Sequence, residues 1–380
     1  MHLQYLKGKE ALVWVLAILL GTGSYAQPIQ VPQMLEEEPA PGKRVKVIAP
    51  EYKESDVYHS LYLPENHTKG RLYPVIVEYT GNKWEPTGST GEARDAILGF
   101  VPARELGAIW VVMPYIKDNQ SILNWWGDEH QTIEYALKNI RRICEDYGGN
   151  PAEIFICGFS RGAIGVNYLG LHNDEVADAW LGFFSHDHYD GERHWGDYWS
   201  PSLDRYRAAA KVRMGRLNGR AAFISNNSDG KSTVRKYIEG QHLDKFGEVA
   251  FNDFLVQSII EDIPNKYVPH AHTDKWMLWD SHYKNKVISW FREVIKNKPG
   301  TYSVSGTVRD VQGKPIEGAV IESGRTHFTT TDKQGRYKLE GLIRGNRHII
   351  INPDMGLTKA NPSHQLDLQS DVSGIDFIVR

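Results

Sequence analysis

The stretch that decides the fold is Glu153-Ile-Phe-Ile-Cys157, which runs into Gly158-Phe-Ser160-Arg161-Gly162 and then into a helix-like segment at 163–169. The first five residues are typical of a buried strand, and the next five match the pattern Gly-x-Ser-x-Gly. A serine at a sharp strand-to-helix turn needs glycine on both sides, because larger side chains would collide with the neighbouring strand and helix. The stretch therefore predicts a nucleophilic serine at position 160, although a tight turn in any sheet of this class could look similar.

Strands and helices alternate on both sides of this turn. Residues 133–147 place apolar side chains three and four positions apart, as on one face of a helix, and Gly148-Gly149 ends that helix. The predicted strands share short apolar or alternating runs, and they cover residues 44–48, 57–63, 73–79, 110–114, 153–157, 180–184 and 221–225. The predicted fold class is α/β, with a doubly wound, mostly parallel sheet.

The pattern changes at Lys298-Pro299-Gly300. Beyond it, short alternating apolar runs are separated by turn residues, and no helical period interrupts them. This predicts a small all-β sandwich over 299–380 after a catalytic domain over 43–298. Residues 27–42 contain four prolines and an acidic run, so we expect an N-terminal lead-in without regular structure.

The first 26 residues have the features of a secretory signal peptide. Two lysines precede the ten apolar residues 11–20, and small residues follow up to Ala26. Since about 20 apolar residues are needed to cross a bilayer, this run predicts a cleaved signal and no membrane span after cleavage. We expect the mature chain to be secreted or periplasmic and to begin near Gln27.

Composition excludes several classes of partner. The 380 residues carry 44 basic and 47 acidic side chains, with a net charge of −3 and no basic block, so nucleic acid is not an expected partner. Two cysteines exclude a Cys-rich zinc module. His186-Asp187-His188 lacks a further ligand pair, and neither a metal nor another cofactor is predicted.

The tail resembles a known family. Its stretches 305–310, Gly313-Lys-Pro-Ile-Glu-Gly318-Ala319 and Thr331-Asp-Lys-Gln-Gly335-Arg-Tyr337 resemble the carboxypeptidase regulatory-like domain, a prealbumin-like β-sandwich. The resemblance covers residues 302–380 and implies a module without catalytic residues.

The larger part of the chain, from about Arg44 to Ile295, resembles the α/β-hydrolase superfamily. The resemblance rests on residues 62–65, 77–82, the serine pentapeptide and 271–276. It is strongest to the exported carbohydrate-esterase-like branch, which includes feruloyl and acetyl esterases and polyhydroxyalkanoate depolymerases. Thr80 and Ala271 stand where many relatives have histidine and glycine, so no single subfamily is implied.

In this fold the partners of the serine follow in the order acid, then histidine. A serine needs an imidazole to accept its proton, and the imidazole needs a carboxylate to fix its tautomer. His272 fits the loop before the last helix, ahead of His270 and His282, and its surroundings match the family pattern. Asp229 follows a late strand and is the predicted acid, with Asp187 as its main rival.

An anion formed on attack needs two backbone N–H donors. The first is expected from Arg161, and the second from Thr80, Gly81 or Asn82. Aromatic and polar residues in the neighbouring loops are candidates for substrate contact, because such groups can stack on sugar rings or on an aromatic acyl group. These candidates are Trp125, Trp126, His186, Trp195 and Trp199.

These features together predict an exported serine esterase that cleaves an ester-substituted carbohydrate through an acyl-enzyme. The same three residue types can cut peptides, so a prolyl-oligopeptidase-type serine peptidase is one alternative. A non-catalytic surface-binding protein on a hydrolase scaffold is the other.

Overall fold

The computed structural model describes residues 27–195, 202–228, 231–261, 263, 267–352, 355–357 and 363–380. The predicted signal peptide, residues 1–26, lies outside the described residues, as do Trp199 and Asp229. Among the residues described, no helix is both long enough and apolar enough to cross a membrane.

The elements are numbered in chain order. The strands are β1 (Met34–Leu35), β2 (Arg44–Val47), β3 (His59–Tyr62), β4 (Tyr73–Tyr79), β5 (Ile109–Met113), β6 (Ile116–Lys117), β7 (Gln120–Ser121), β8 (Gly149–Phe159), β9 (Gly182–His186), β10 (Ala221–Asn227), β11 (Glu248–Phe254), β12 (Thr301–Asp310), β13 (Val320–Ser323), β14 (His327–Thr330), β15 (Arg336–Ile343), β16 (Gly345–Ile351), β17 (His364–Leu368) and β18 (Phe377–Val379). The α-helices are α1 (Phe100–Leu106), α2 (Glu129–Tyr147), α3 (Arg161–Tyr168), α4 (Asp174–Ala177), α5 (Leu203–Gly215), α6 (Thr233–Gly240), α7 (Val256–Ile260) and α8 (His282–Lys296). Short 3₁₀ helices cover Pro50–Tyr52, Glu85–Thr87, Ala93–Asp95, Leu243–Phe246 and Lys275–Leu278.

A nine-stranded sheet forms the body of the larger part. Its order is β1-β2-β3-β5-β4-β8-β9-β10-β11. The last six strands in that order, β5, β4, β8, β9, β10 and β11, are mutually parallel. After β4, the chain first adds β5 on one side of that strand and then β8 on the other side. The order in which strands are added therefore changes direction at β4. In open α/β sheets, ligands bind outside the carboxyl ends of the strands at such a point.

Helices cover both faces of the sheet. Along β4, Val75 and Val77 face one apolar core with residues of α2 and α3, while Ile76 faces a second core with residues of α1 and α8. Burial on both faces explains why these strands are nearly continuous apolar runs. The α/β class with a doubly wound, mostly parallel sheet, followed by a small all-β unit, is confirmed.

Two strands of the nine-stranded sheet were not predicted. Residues 34–35 of the N-terminal lead-in pair with Arg44 and Val45 as β1, so the expectation that 27–42 lack regular structure is wrong at this point. Strand β11 lies at the opposite edge and is only partly buried. Polar residues interrupt its sequence, because an edge strand needs less apolar surface than a central one.

The all-β unit packs two small sheets, ordered β15-β12-β18 and β14-β13-β16-β17, around a core of its own. Charged side chains join this unit to the larger part. Arg325 pairs with Glu134 at 2.6 Å, and the Nη1 of Arg347 donates to the backbone oxygen of Asp178 at 3.0 Å. Both arginines are at least 95% buried, so these contacts are shielded from solvent.

Candidate active site

Ser160 lies at the turn from β8 to α3. Its backbone angles are φ 56° and ψ −117°, and a positive φ is strained for a residue with a side chain. The flanking strands end in register with this turn, because Tyr79 of β4 pairs with Gly158 and His186 of β9 pairs with Phe159. The loops that follow β4 and β9 therefore lie on either side of Ser160.

Glycine is required at both sides of the turn. A methyl group on Gly162 would lie 1.8 Å from the backbone oxygen of Tyr79, and one on Gly158 would lie 2.3 Å from the carbonyl carbon of Gly162. Both distances are far below van der Waals contact. The two glycines let helix α3 begin directly beside the ends of β4 and β8. The serine therefore lies at the carboxyl end of the central strands.

His272 contacts the serine, as its place in the late loop predicted. Its Nε2 lies 2.9 Å from the Oγ of Ser160, and its Nδ1 lies 2.5 Å from an Oδ of Asp187. The other two candidate histidines are elsewhere. His270 is exposed and its Nδ1 accepts the backbone N–H of His272, whereas His282 starts α8 and lies against Tyr283.

The carboxylate beside His272 is Asp187, the rival of the predicted Asp229. Asp187 directly follows β9, the immediate neighbour of the serine's strand, and Asp229 comes after β10, one strand farther away. Asp229 lies outside the described residues, and the Nδ1 hydrogen of His272 is already donated to Asp187. Among the described residues, the carboxylate paired with His272 is therefore Asp187, the rival, and the prediction of Asp229 stays untested.

Electrostatics favour an ionised Asp187. Burial by itself would raise its pKa, but the hydrogen bond and charge of His272 outweigh burial and hold the pKa of Asp187 well below its ordinary value. Its second oxygen accepts the backbone N–H of Asn227 at 3.1 Å. A carboxylate at this place keeps the hydrogen of His272 on Nδ1, so the Nε2 lone pair faces the serine hydroxyl and can accept its proton.

The loop after β4 also lies close to the serine. A methyl group on Gly81 would lie 3.2 Å from the Cβ of Ser160, so the loop after β4 touches the serine. Among the described residues, no acceptor is bonded to the backbone N–H of Gly81 or Arg161. The same loop contains Thr80, whose backbone oxygen accepts the Tyr115 hydroxyl, and Asn82, whose side chain accepts the N–H of Trp125; neither bond uses their own backbone N–H groups.

Three tryptophans surround the serine and histidine, and we call Trp84, Trp125 and Trp195 the aromatic rim. The Trp125 and Trp195 rings are 5.8 Å apart, and the Trp84 ring is 5.5 Å from that of His272. His188 lies between Trp195 and His272, at 4.6 and 5.4 Å. Sequence reasoning missed Trp84 and the placement of His188, since neither follows a recognisable motif.

Trp126 does not reach this site. It is 1% exposed, and its ring stacks on Tyr168 at 4.9 Å and packs against Tyr115. The ring of its neighbour Trp125, a residue with a φ of 57°, is 6.5 Å away and also packs against Trp195. The expectation of substrate contact is wrong for Trp126, which is a core residue.

His186 is also a core residue. The indole N–H of Trp276 donates to its Nε2 at 2.8 Å, so the ring hydrogen sits on Nδ1 and is donated to the Ser225 hydroxyl at 2.9 Å. With both nitrogens occupied and no exposed surface, it cannot bind substrate or a metal. In the parts of the chain that are described, no three His, Cys, Asp or Glu side chains are grouped to hold a metal ion.

The buried His186 predicts a loss of stability in acid. Burial lowers its pKa to about 4, whereas an unfolded histidine titrates near pH 6.5. Between these values the unfolded chain binds the extra proton, so the free energy of unfolding falls as pH drops from 6.5 to 4, by about 1.4 kcal/mol per pH unit from this group.

Urea unfolding of wild type and of His186→Gln, measured from pH 7 to pH 4, checks this. Other titrating groups are common to both proteins, so the difference between the two curves isolates His186. We expect the stability of wild type to fall relative to the variant in that interval. Parallel curves would contradict a neutral His186.

Comparisons with known proteins found similarities to each of the two parts. Residues 303–379 match the family model of the carboxypeptidase regulatory-like domain. No curated protein matches the sequence significantly. Among solved structures, a thermostable esterase is 13% identical with a TM-score of 0.42, and the alignment covers 66% of this chain and 62% of that one.

Two further structures are similar to the larger part. A truncated carbohydrate esterase from gut microbiota is 13% identical with a TM-score of 0.46, covering 69% of this chain and 100% of that one. An isopeptidase, AtxE2, is 13% identical with a TM-score of 0.43, covering 67% and 40%. The larger part is thus a mostly parallel α/β sheet with the serine turn at the carboxyl end of a central strand, and residues 303–379 match the model of the carboxypeptidase regulatory-like domain.

Proposed function

We propose that this protein is an exported serine hydrolase that cleaves carboxylic esters on carbohydrate through an acyl-enzyme. The single observation that carries the proposal is the hydrogen-bonded series Ser160, His272 and Asp187, with distances of 2.9 and 2.5 Å. A strained serine backbone supports the same chemistry, as do two nearby backbone N–H groups that bond no acceptor within the described residues.

Acylation begins when the Ser160 oxygen attacks the ester carbonyl carbon and its proton passes to the Nε2 of His272. The carbonyl oxygen becomes negatively charged, and the N–H groups of Arg161 and Gly81 donate to it. Asp187 stabilises the imidazolium through Nδ1. When the carbon–oxygen bond of the ester breaks, the imidazolium returns its proton to the leaving alcohol, and the acyl group remains on Ser160.

Deacylation repeats these steps with water as the nucleophile. His272 takes a proton from water, the hydroxide oxygen bonds to the acyl carbon, and the anionic oxygen occupies the same two N–H donors. The bond to Ser160 then breaks, and the imidazolium returns the proton to the serine oxygen. The products are a carboxylic acid and an alcohol, and the three side chains return to their starting states.

The substrate class rests on the aromatic rim and on the sequence of the first 26 residues. Flat, amphipathic tryptophan rings can pack on the apolar face of a sugar ring or on an aromatic acyl group. Trp84 is 42% exposed, so part of the rim faces solvent and is accessible to a polymer. The signal-like residues 11–26 supply the expectation of export.

One comparison of substrates tests the proposal. Purified protein is incubated with acetylated, feruloylated and methyl-esterified polysaccharides and, in parallel, with peptide anilides, and the released acid, methanol or aniline is quantified. We expect release from at least one ester-substituted polysaccharide and slower release from the anilides. Faster anilide cleavage would indicate a peptidase, and no turnover of any of them would indicate a binding protein.

The aromatic rim gives a second prediction. Trp195→Ala is expected to raise KM for an esterified oligosaccharide by about tenfold, because one stacking contact is worth about 1.4 kcal/mol. Hydrolysis of ethyl acetate, which has neither a sugar nor an aromatic ring to stack, should change by less than about threefold. Equal effects on the two substrates, measured by initial rates, would contradict a role of the rim in carbohydrate binding.

A further inference from the structure

The side chain of Arg161 is buried beneath the serine turn. Arg161 follows Ser160 and is 1% exposed. Its guanidinium donates to four backbone oxygens, at 2.7 to 3.2 Å, which belong to Gly81, Gly91, Ile122 and Trp125. One side chain therefore connects the start of α3 with the loop after β4 and with the loop that carries Trp125.

These contacts bear on both proposed donors to the anion. The backbone N–H of Arg161 is one donor, and its guanidinium Nη2 holds the carbonyl of Gly81, the residue that supplies the other, at 2.9 Å. The guanidinium carbon lies 3.7 Å above the Tyr115 ring, and the Tyr115 hydroxyl donates to the oxygen of Thr80, next to Gly81. The two donors are thus fixed relative to each other by two side chains that contact each other and bond neighbouring carbonyls of the same loop.

The guanidinium also carries a charge that no anion offsets nearby. In the described parts of the chain, Arg161 takes part in no ion pair, and its guanidinium contacts carbonyl oxygens and the ring and hydroxyl of Tyr115. Burial lowers its pKa to about 10, so it remains a cation at neutral pH. A buried cation without an anionic partner lowers the stability of the fold. A cation beside the site of the anionic intermediate also favours negative charge at that site.

We infer that the Arg161 side chain is a positioning residue that sets the two anion-binding N–H groups and the Trp125 wall, and whose charge favours the anionic intermediate. Arginine suits the task because its planar group has five donors in a rigid arrangement, while lysine has a single ammonium. The inference rests on the proposed ester hydrolysis at Ser160, which it deepens.

Arg220 provides a matched control. Its guanidinium also donates to backbone oxygens, including those of Leu217 and Trp180 at 2.8 Å. It directly precedes β10, at the end of the sheet opposite to Ser160. Removing this arginine removes a similar set of structural hydrogen bonds without touching the loops around the serine.

The test compares Arg161→Met, Arg161→Lys and Arg220→Met with wild type. Measured quantities are the melting temperature, kcat and KM for p-nitrophenyl acetate, and the affinity for benzeneboronic acid. When the serine oxygen bonds to boron and its proton moves to His272, boron becomes tetrahedral and negative, so boronate affinity reports on anion stabilisation without turnover.

We expect Arg161→Met to lower kcat by about 10²-fold, with KM changed less than about threefold and boronate affinity reduced in parallel. Arg161→Lys keeps the charge and should lie between Arg161→Met and wild type. Arg220→Met should lower the melting temperature and leave kcat and boronate affinity within about threefold. If Arg161→Met does not fold, kcat and boronate affinity of Arg161→Lys test the inference instead.

The inference is overturned if the folded Arg161 variants keep wild-type kcat and boronate affinity, or if Arg220→Met loses both equally. Failure of the proposed function gives a different result. In that case wild type itself neither hydrolyses the ester nor binds the boronate, and the Arg161 inference falls with it.

Discussion

Replacing Ser160 with alanine is expected to lower kcat for ester hydrolysis by about 10⁴-fold or more. The variant retains His272, Asp187 and the backbone donors, but no oxygen remains to form the acyl-enzyme. Because the alanine side chain is smaller and the φ of 56° at this position is strained for both residues, the fold should be unchanged.

The measurement is turnover of p-nitrophenyl acetate, with Ser55→Ala as the control. Ser55 is more than 100 residues before Ser160 in the chain. It lies in a turn, where its hydroxyl donates to the backbone oxygen of Tyr52. The control should keep full activity, and both variants should unfold at temperatures close to that of wild type. Substantial residual activity in Ser160→Ala would mean that another group is the nucleophile.

The second large effect is expected from Asp187→Asn, which should lower kcat by about 10⁴-fold. An amide at this position no longer holds the hydrogen of His272 on Nδ1, so the ring can present an N–H instead of a lone pair to Ser160. It also no longer offsets the imidazolium charge. KM should change little, because Asp187 is buried beneath His272 and faces no substrate.

Asp229→Asn is the matched variant, since both positions follow strands of the same sheet and both changes are isosteric. We expect Asp229→Asn to retain kcat within about threefold of wild type. The reverse order, with loss of activity only on changing Asp229, would contradict the assignment of Asp187 and restore the original prediction.

Much of the fold could be predicted from the sequence, because local patterns determine it. The apolar runs at 73–79 and 153–157 are buried on both faces of a sheet, and the Gly-x-Ser-x-Gly pattern fits the steric limits around Ser160. His272 could be predicted because it precedes the last helix. Each of these inferences needs only neighbours in the chain.

The acid could not be chosen in the same way. Asp187 and Asp229 both follow buried strands, and the choice depends on which strand lies next to β8. Strand order is a property of the whole sheet and leaves no local pattern. The sequence feature that pointed to Asp187 was its position immediately after a buried strand. Because Asp229 also follows a buried strand, this feature made Asp187 only the second candidate for the acid.

The errors at Trp126 and His186 have a related cause. Composition suggested that aromatic and polar residues in these loops face the substrate, but consecutive side chains point in different directions. Trp125 belongs to the rim and Trp126 to the core, while His186 ends β9 inside the protein and Asp187 is directed at His272. Whether such a residue belongs to the core or to the site depends on the local direction of its backbone. That direction cannot be read from the residue type.

The most direct test of the account is to identify the atom that reacts. Wild-type protein is treated with a fluorophosphonate, digested, and sequenced by mass spectrometry. The account predicts a single phosphonylated residue, Ser160, in the peptide that contains Gly158 and Gly162, with labelling prevented by heat unfolding or by His272→Ala. An unlabelled protein, or a label on any other residue, would contradict it.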